Sequence, residues 1–192
     1  MSSTNWAKNV ILVDADFLDN ICFSFIVNFE RMINRKIPQA DLADWLECAM
    51  LDGGMREKEN TVQSVFLHDE KKAKFENFNP SDFETDLNGK AFNGNLGEFR
   101  ISSFPAVNRL VCMKDFFLQT LENIMQDKGV ERVVVVGDFD SYGRDVTRLL
   151  ATNAEKTVTL LTTNALNGHG FSQELLGYSL THALGVRSEE FK

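Results

Sequence analysis

Basic charge is in deficit in this chain of 192 residues: 20 Lys and Arg stand against 28 Asp and Glu, a formal net charge of −8. Phosphate contacts supply most non-specific affinity for nucleic acids, so a broad basic binding surface is excluded and any such contact has to be local. Cysteine is also scarce. Cys22, Cys48 and Cys112 are odd in number, far apart and set among apolar neighbours, which argues against a disulfide framework or a zinc site and for reduced core residues. With 3 Pro, 43% hydrophobic residues and no low-complexity tract, the chain carries no signature of disorder. No run of about 18 apolar residues is available to span a bilayer, and the opening MSSTNWAKN lacks an apolar signal-peptide core. The expectation is a soluble, cytoplasmic protein without a membrane partner; a homo-oligomer is left open. His68, His169 and His182 are scattered without ligand spacing or triad context, and NGHG at 167–170 is a turn signal. Neither G-x-G-x-x-G nor G-x-x-x-x-G-K-[ST] occurs, so no nucleotide cofactor is expected.

What the chain does have is a set of short apolar runs separated by helical periodicities. NVILVD at 9–14 is too short for a helix and ends in an acid, the pattern of a strand buried on both faces. Phe17, Leu18, Ile21, Phe25, Phe29 and Met32 then recur mostly at three and four, predicting a long helix to about Arg35. Pro38 suits the first turn of a second helix, stopped by Gly53 and Gly54. TVQSVFLH at 61–68 and GEFRISSF at 97–104 are further strands, the latter with the polar alternation of an edge. Between them, residues 69–96 are too long for a structureless loop and predict short helical pieces or a flap. Met113, Phe116, Phe117, Leu121, Ile124 and Met125 predict a helix closed by Gly129, followed by the strand VERVVVV, a helix from Tyr142 to about Thr152, and TVTLLTT at 157–163 as the last strand. A terminal helix is expected at about 171–185. The sum is one α/β domain over 1–192 with its core at about 9–163: a mainly parallel sheet of about five strands with helices on both faces.

In such sheets ligands bind at the carboxyl ends of the strands. Asp14 and Asp16, and again Asp138 and Asp140, form an Asp-x-Asp directly after an apolar strand. One acid per helix suffices for capping. The doubled acids exceed that need, and capping weighs most against Asp16 and Asp140. If the two strands are neighbours, Asp14 and Asp138 raise each other's pKa unless a cation intervenes, and hard oxygen ligands favour Mg²⁺ or Mn²⁺. Asp115, at the start of the helix feeding the VVVV strand, is a first-turn acid that becomes a further candidate ligand. Lys114 and the four-apart Arg144 and Arg148 are candidates to hold a phosphate, against the ordinary reading of solvated charges. Asp145 is expected to pair with Arg148. The phenylalanines at 75, 78, 83 and 92, interleaved with Lys71, Lys72, Lys74 and Lys90, suit either base stacking or anchoring of a long segment.

The order VILVDADFL, an acid near a helix start, then VVVVGDFD resembles the PIN-like superfamily and within it the NYN domains, over roughly residues 9–163. That resemblance implies a three-layer α/β/α fold and a metal-dependent ribonuclease. Asp14, Asp115, Asp138 and Asp140 then match its acidic cluster, with Asp16 beside them, Mg²⁺ or Mn²⁺ as cofactor and RNA as substrate. DAD at 14–16 and GDFDSYGRD at 137–145 also resemble the haloacid dehalogenase-like phosphatases, which implies Asp14 as nucleophile, Asp16 as general acid/base and Asp138 as a Mg²⁺ ligand. A third expectation is a PIN-like module whose catalysis is lost or reduced and which serves in binding or regulation.

Overall fold

The fold follows from a computed structural model, which describes residues 5–107 and 110–191. Chain order runs β1 (Asn9–Asp14), α1 (Ala15–Ile33), β2 (Ala40–Asp41), α2 (Leu42–Asp52), β3 (Asn60–Asp69), β4 (Phe78–Asn79), β5 (Ala91–Gly94) and β6 (Gly97–Ala106). It continues with α3 (Met113–Gln126), β7 (Arg132–Val136), α4 (Phe139–Leu150), β8 (Thr157–Thr162), β9 (Ser172–Leu175) and α5 (Leu176–Ala183). One sheet holds seven strands in the order β5-β6-β3-β1-β7-β8-β9, and every pairing in it is parallel except β5 with β6. β2 and β4 form a separate parallel pair.

β1 is the centre, and it is buried along its whole length because both faces are covered. Its alternate residues feed two separate clusters. Ile11 and Val13 pack with Val134, Val136 and the apolar faces of α1, α2 and α5. Val10 and Leu12 pack with Val133, Val135 and the faces of α3 and α4, through Phe117, Leu121, Val146 and Leu150. This two-sided demand is why the middle of β1, VILV, and the run VVVV contain no polar residue. Helix ends follow local chemistry. The Asp14 carboxylate accepts the Phe17 N–H to start α1, and Asn34 ends it in the left-handed region at φ 54°, its N–H donated to the Glu30 carbonyl. The Asp41 carboxylate accepts the Asp44 N–H to start α2, so Pro38 lies upstream of the helix rather than in its first turn.

The segment 97–104 is not an edge. β6 is covered by β5, a four-residue strand whose composition, AFNG, carries no run for periodicity to detect. Nor is 157–163 the last strand: β9 follows, every residue exposed, and the terminal helix is correspondingly shorter than 171–185. Two short strands, each too brief to show a period, account for the difference between about five strands and seven. The turn into β9 passes close to α4. Gly170 sits at φ 89°, and a Cβ there would lie 2.0 Å from the Leu150 carbonyl oxygen, so only glycine fits. In the segment 69–96, Phe75, Phe78 and Phe83 are buried and anchor the chain to the core, while Phe92 stacks on Phe99. This segment also contains a π-helical turn, Phe83–Leu87, opened by Asp82.

Candidate functional site

β1 and β7 are adjacent and parallel, with Val13 opposite Val136, so the residues that follow them emerge side by side. From β1 the chain leaves through α1 towards β3; from β7 it leaves through α4 towards β8, on the opposite face of the sheet. The strand order thus reverses between these two strands, the position at which α/β sheets commonly bind their ligands. Asp14, Asp16 and Asp138 meet there.

Asp14 is 4% exposed. One carboxylate oxygen accepts the Phe17 N–H at 3.1 Å and the other accepts the Tyr142 hydroxyl at 2.7 Å. Burial raises the Asp14 pKa above its ordinary value; the two hydrogen bonds oppose the rise, and the charges of Asp16 and Asp138 add to it. The Tyr142 hydroxyl in turn accepts the Asp138 N–H at 3.0 Å. Burial first, and then the negative charge of Asp14, push the phenol's pKa upward, so the hydroxyl stays protonated and remains a donor. Tyr142 therefore bridges the ends of the two central strands. Its backbone is bent to do so, with φ −132° and ψ 18° inside α4, and its ring packs on Phe117 at 5.1 Å. Gly137 makes room: a Cβ there would come within 2.8 Å of the Tyr142 hydroxyl oxygen and 3.0 Å of the Phe117 ring.

Asp138 caps α4, accepting the Ser141 N–H at 3.2 Å and the Ser141 hydroxyl at 2.7 Å. In both motifs the first acid is thus the cap, because α1 and α4 begin one residue before Asp16 and Asp140. Asp16 accepts the Asp69 N–H at 2.7 Å and lies 3.6 Å from the Lys72 ammonium. Asp140 is exposed and makes no side-chain hydrogen bond or ion pair among the described residues. Asp115 is exposed at the start of α3, accepting a contact from the Cys112 thiol at 3.1 Å. Lys114 is tied to Asp145 at 2.8 Å and holds that carboxyl below its usual range; Arg148 adds a contact to Asp145 at 3.6 Å. The expected Asp145–Arg148 pair is present, with Lys114 as the nearer partner. Arg144 is exposed.

Among the described residues, no group of three or more His, Cys, Asp and Glu is arranged to hold a metal ion. The oxygens of Asp14 and Asp138 accept hydrogen bonds from Phe17, Tyr142 and Ser141. The residue that periodicity could not reveal is Tyr142. Its signal was chemical: a tyrosine four residues after a strand-terminal acid, in a helix whose inner face is buried, needs a partner for its hydroxyl. Asp19 was also missed. It is buried on α1, where its carboxylate accepts the N–H groups of Glu76 and Asn77 at 3.0 and 2.9 Å.

Residues 3–191 match DUF6621, a family of unknown function, and the chain belongs to that family. No curated protein and no solved structure matches it. No helix among the described residues is long and apolar enough to cross a membrane.

Proposed function

We propose that this chain is a three-layer α/β/α module of PIN-like architecture that holds a ligand near the carboxyl edge of its sheet without hydrolysing it. The order of elements and the acids after β1 and β7 support the architecture. One observation carries the loss of hydrolysis: the Tyr142 hydroxyl donates to the Asp14 carboxylate at 2.7 Å and accepts the Asp138 backbone N–H at 3.0 Å, so the acid at the end of β1 is committed to the protein's own chain. Acids satisfied by protein donors are poor competitors for a hydrated divalent cation, which must shed water to bind. A displaced carboxylate of even an ångström is enough to cost a catalytic site most of its rate.

A second reading is supported by the mutual repulsion that Asp16 and Asp138 impose on Asp14, which a cation would relieve. It is a Mg²⁺- or Mn²⁺-dependent ribonuclease using Asp14, Asp16, Asp115, Asp138 and Asp140, with Lys114, Arg144 or Arg148 at the phosphate. The deciding experiment is incubation of labelled single-stranded RNA with Mn²⁺ and either the native protein or Asp138→Asn. The non-hydrolysing module predicts intact RNA in both. Cleavage by the native protein that disappears in the variant would overturn it and establish the ribonuclease. Stabilisation by beryllofluoride, lost in Asp14→Asn, would instead favour a phosphatase with Asp14 as nucleophile.

A further inference from the structure

We infer that the cleft between α1 and residues 71–77 binds single-stranded nucleic acid, beside the acidic edge rather than on it. The cleft encloses about 650 Å³ and its wall includes Asn20, Phe23, Lys71, Lys72 and Lys74. Phe23 is 56% exposed, although the same region buries Phe75, Phe78 and Phe83. An aromatic face left to solvent beside cations is the arrangement that stacks a base while ammonium groups track the phosphates. Lys71, Lys72 and Lys74 are all exposed, and they concentrate positive charge in a chain whose formal net charge is −8. Asn20 is exposed on the same wall and offers an amide donor and acceptor to a base edge.

Two acids also line the cleft, Asp19 and Glu76. Asp19 is buried and spends its oxygens on the N–H groups of Glu76 and Asn77 and on the Asn77 side-chain amide at 3.2 Å. Its role is to fasten the lysine-bearing wall to α1, so the wall is held in place before any ligand arrives. Glu76 is exposed and opposes an anion, which places the phosphates at the Lys71 and Lys72 end. That end adjoins the acidic edge, since the Lys72 ammonium lies 3.6 Å from Asp16. The inference rests on the non-hydrolysing module only in that the bound strand is held and not cut.

The test is fluorescence anisotropy with labelled oligouridine and oligodeoxythymidine, without divalent metal. Binding should weaken with salt, with a logarithmic slope of about −0.7 for each phosphate held. Lys71→Gln combined with Lys72→Gln should flatten that slope by about 1.4. Phe23→Ala should weaken binding about ten-fold and leave the slope unchanged, because a stacked base is lost and no phosphate contact is. Glu76→Gln should tighten binding. Circular dichroism of each variant should match the native protein, since all four side chains are exposed. Preference between the two probes identifies the polymer, and binding of either supports the site. Absence of salt-dependent binding, or variants that bind as the native protein does, overturns it. So does variant-sensitive binding of a polyglutamate peptide without binding of either oligonucleotide, which would make the partner an acidic protein segment. Mn²⁺-dependent cleavage abolished by Asp138→Asn would sink the non-hydrolysing module alone, because no cleft variant touches Asp138.

Discussion

Asp14 and Asp16 after β1 share spelling and position with Asp138 and Asp140 after β7, yet the protein grips the two pairs differently. In the first pair both acids are engaged: Asp14 by the Phe17 N–H and the Tyr142 hydroxyl, Asp16 by the Asp69 N–H and Lys72. In the second, the Asp138 carboxylate is engaged by Ser141 alone among the described residues, and Asp140 is exposed. The leading acid caps a helix in each case. What differs is the chain that arrives from elsewhere: the end of β3 and residue 72 reach the first pair, while among the described residues no side-chain contact of that kind reaches the second. A doubled acid is therefore not one device used twice. It is a cap followed by a residue whose use depends on its neighbours in space.

The sharpest way to break this comparison is to delete the leading acids separately. Asp14→Ala leaves the Tyr142 hydroxyl and the Phe17 N–H without their acceptor, and should destabilise the protein by about 3 kcal/mol in urea denaturation. Its pH dependence has a definite sign. Asp14 is raised in the folded state, so the stability it contributes is fully present below the ordinary carboxylate value of 3.8 and is lost as pH rises through the folded value. Measured against Asp14→Asn, the native protein should lose relative stability as pH climbs from about 4; a difference that is flat with pH, or grows, contradicts the buried-charge account. Tyr142→Phe should cost about 2 kcal/mol, because it strands one Asp14 oxygen and the Asp138 N–H together. A neutral outcome would mean that the bridge between the strands is incidental. Asp138→Ala, half-buried and bonded to one residue, should cost only about 1 kcal/mol. Asp140→Ala should fall within about 0.5 kcal/mol of the native protein by the same denaturation curves. Equal losses for Asp14→Ala and Asp138→Ala would erase the distinction between the pairs.

The parts of the fold that were legible in the sequence are those dictated by continuous burial. β1 coincides with NVILVD, and the strands at 133–136 and 157–162 stand out because a strand covered on both faces is built mainly from apolar and β-branched residues. The long helices were legible through their period, with ends displaced by a few residues where a cap such as Asp41, rather than Pro38, sets the start. β5 and β9 were not legible: AFNG and SQEL are strands only because β6 and β8 present free edges to them. The meeting of Asp14 with Asp138 depended on strand adjacency, a condition the sequence left open and the pairing of β1 with β7 meets. Tyr142 did not follow from periodicity, since its hydrogen bond to Asp14 spans 128 positions of sequence. Capping was placed one acid too late in both motifs, because helix starts are the least defined feature of a periodic pattern.

The central place of β1 also has a consequence for how the chain assembles. β1 pairs with β3 on one side and with β7 on the other, and the second partner lies at residues 132–136. During synthesis β3 becomes available early, whereas the other edge of NVILVD meets its partner only once residues 132–136 have left the ribosome. An unpaired apolar strand edge is an invitation to neighbouring chains. Refolding yield should therefore fall as protein concentration rises, and fragments ending before β7 should aggregate where the complete chain does not.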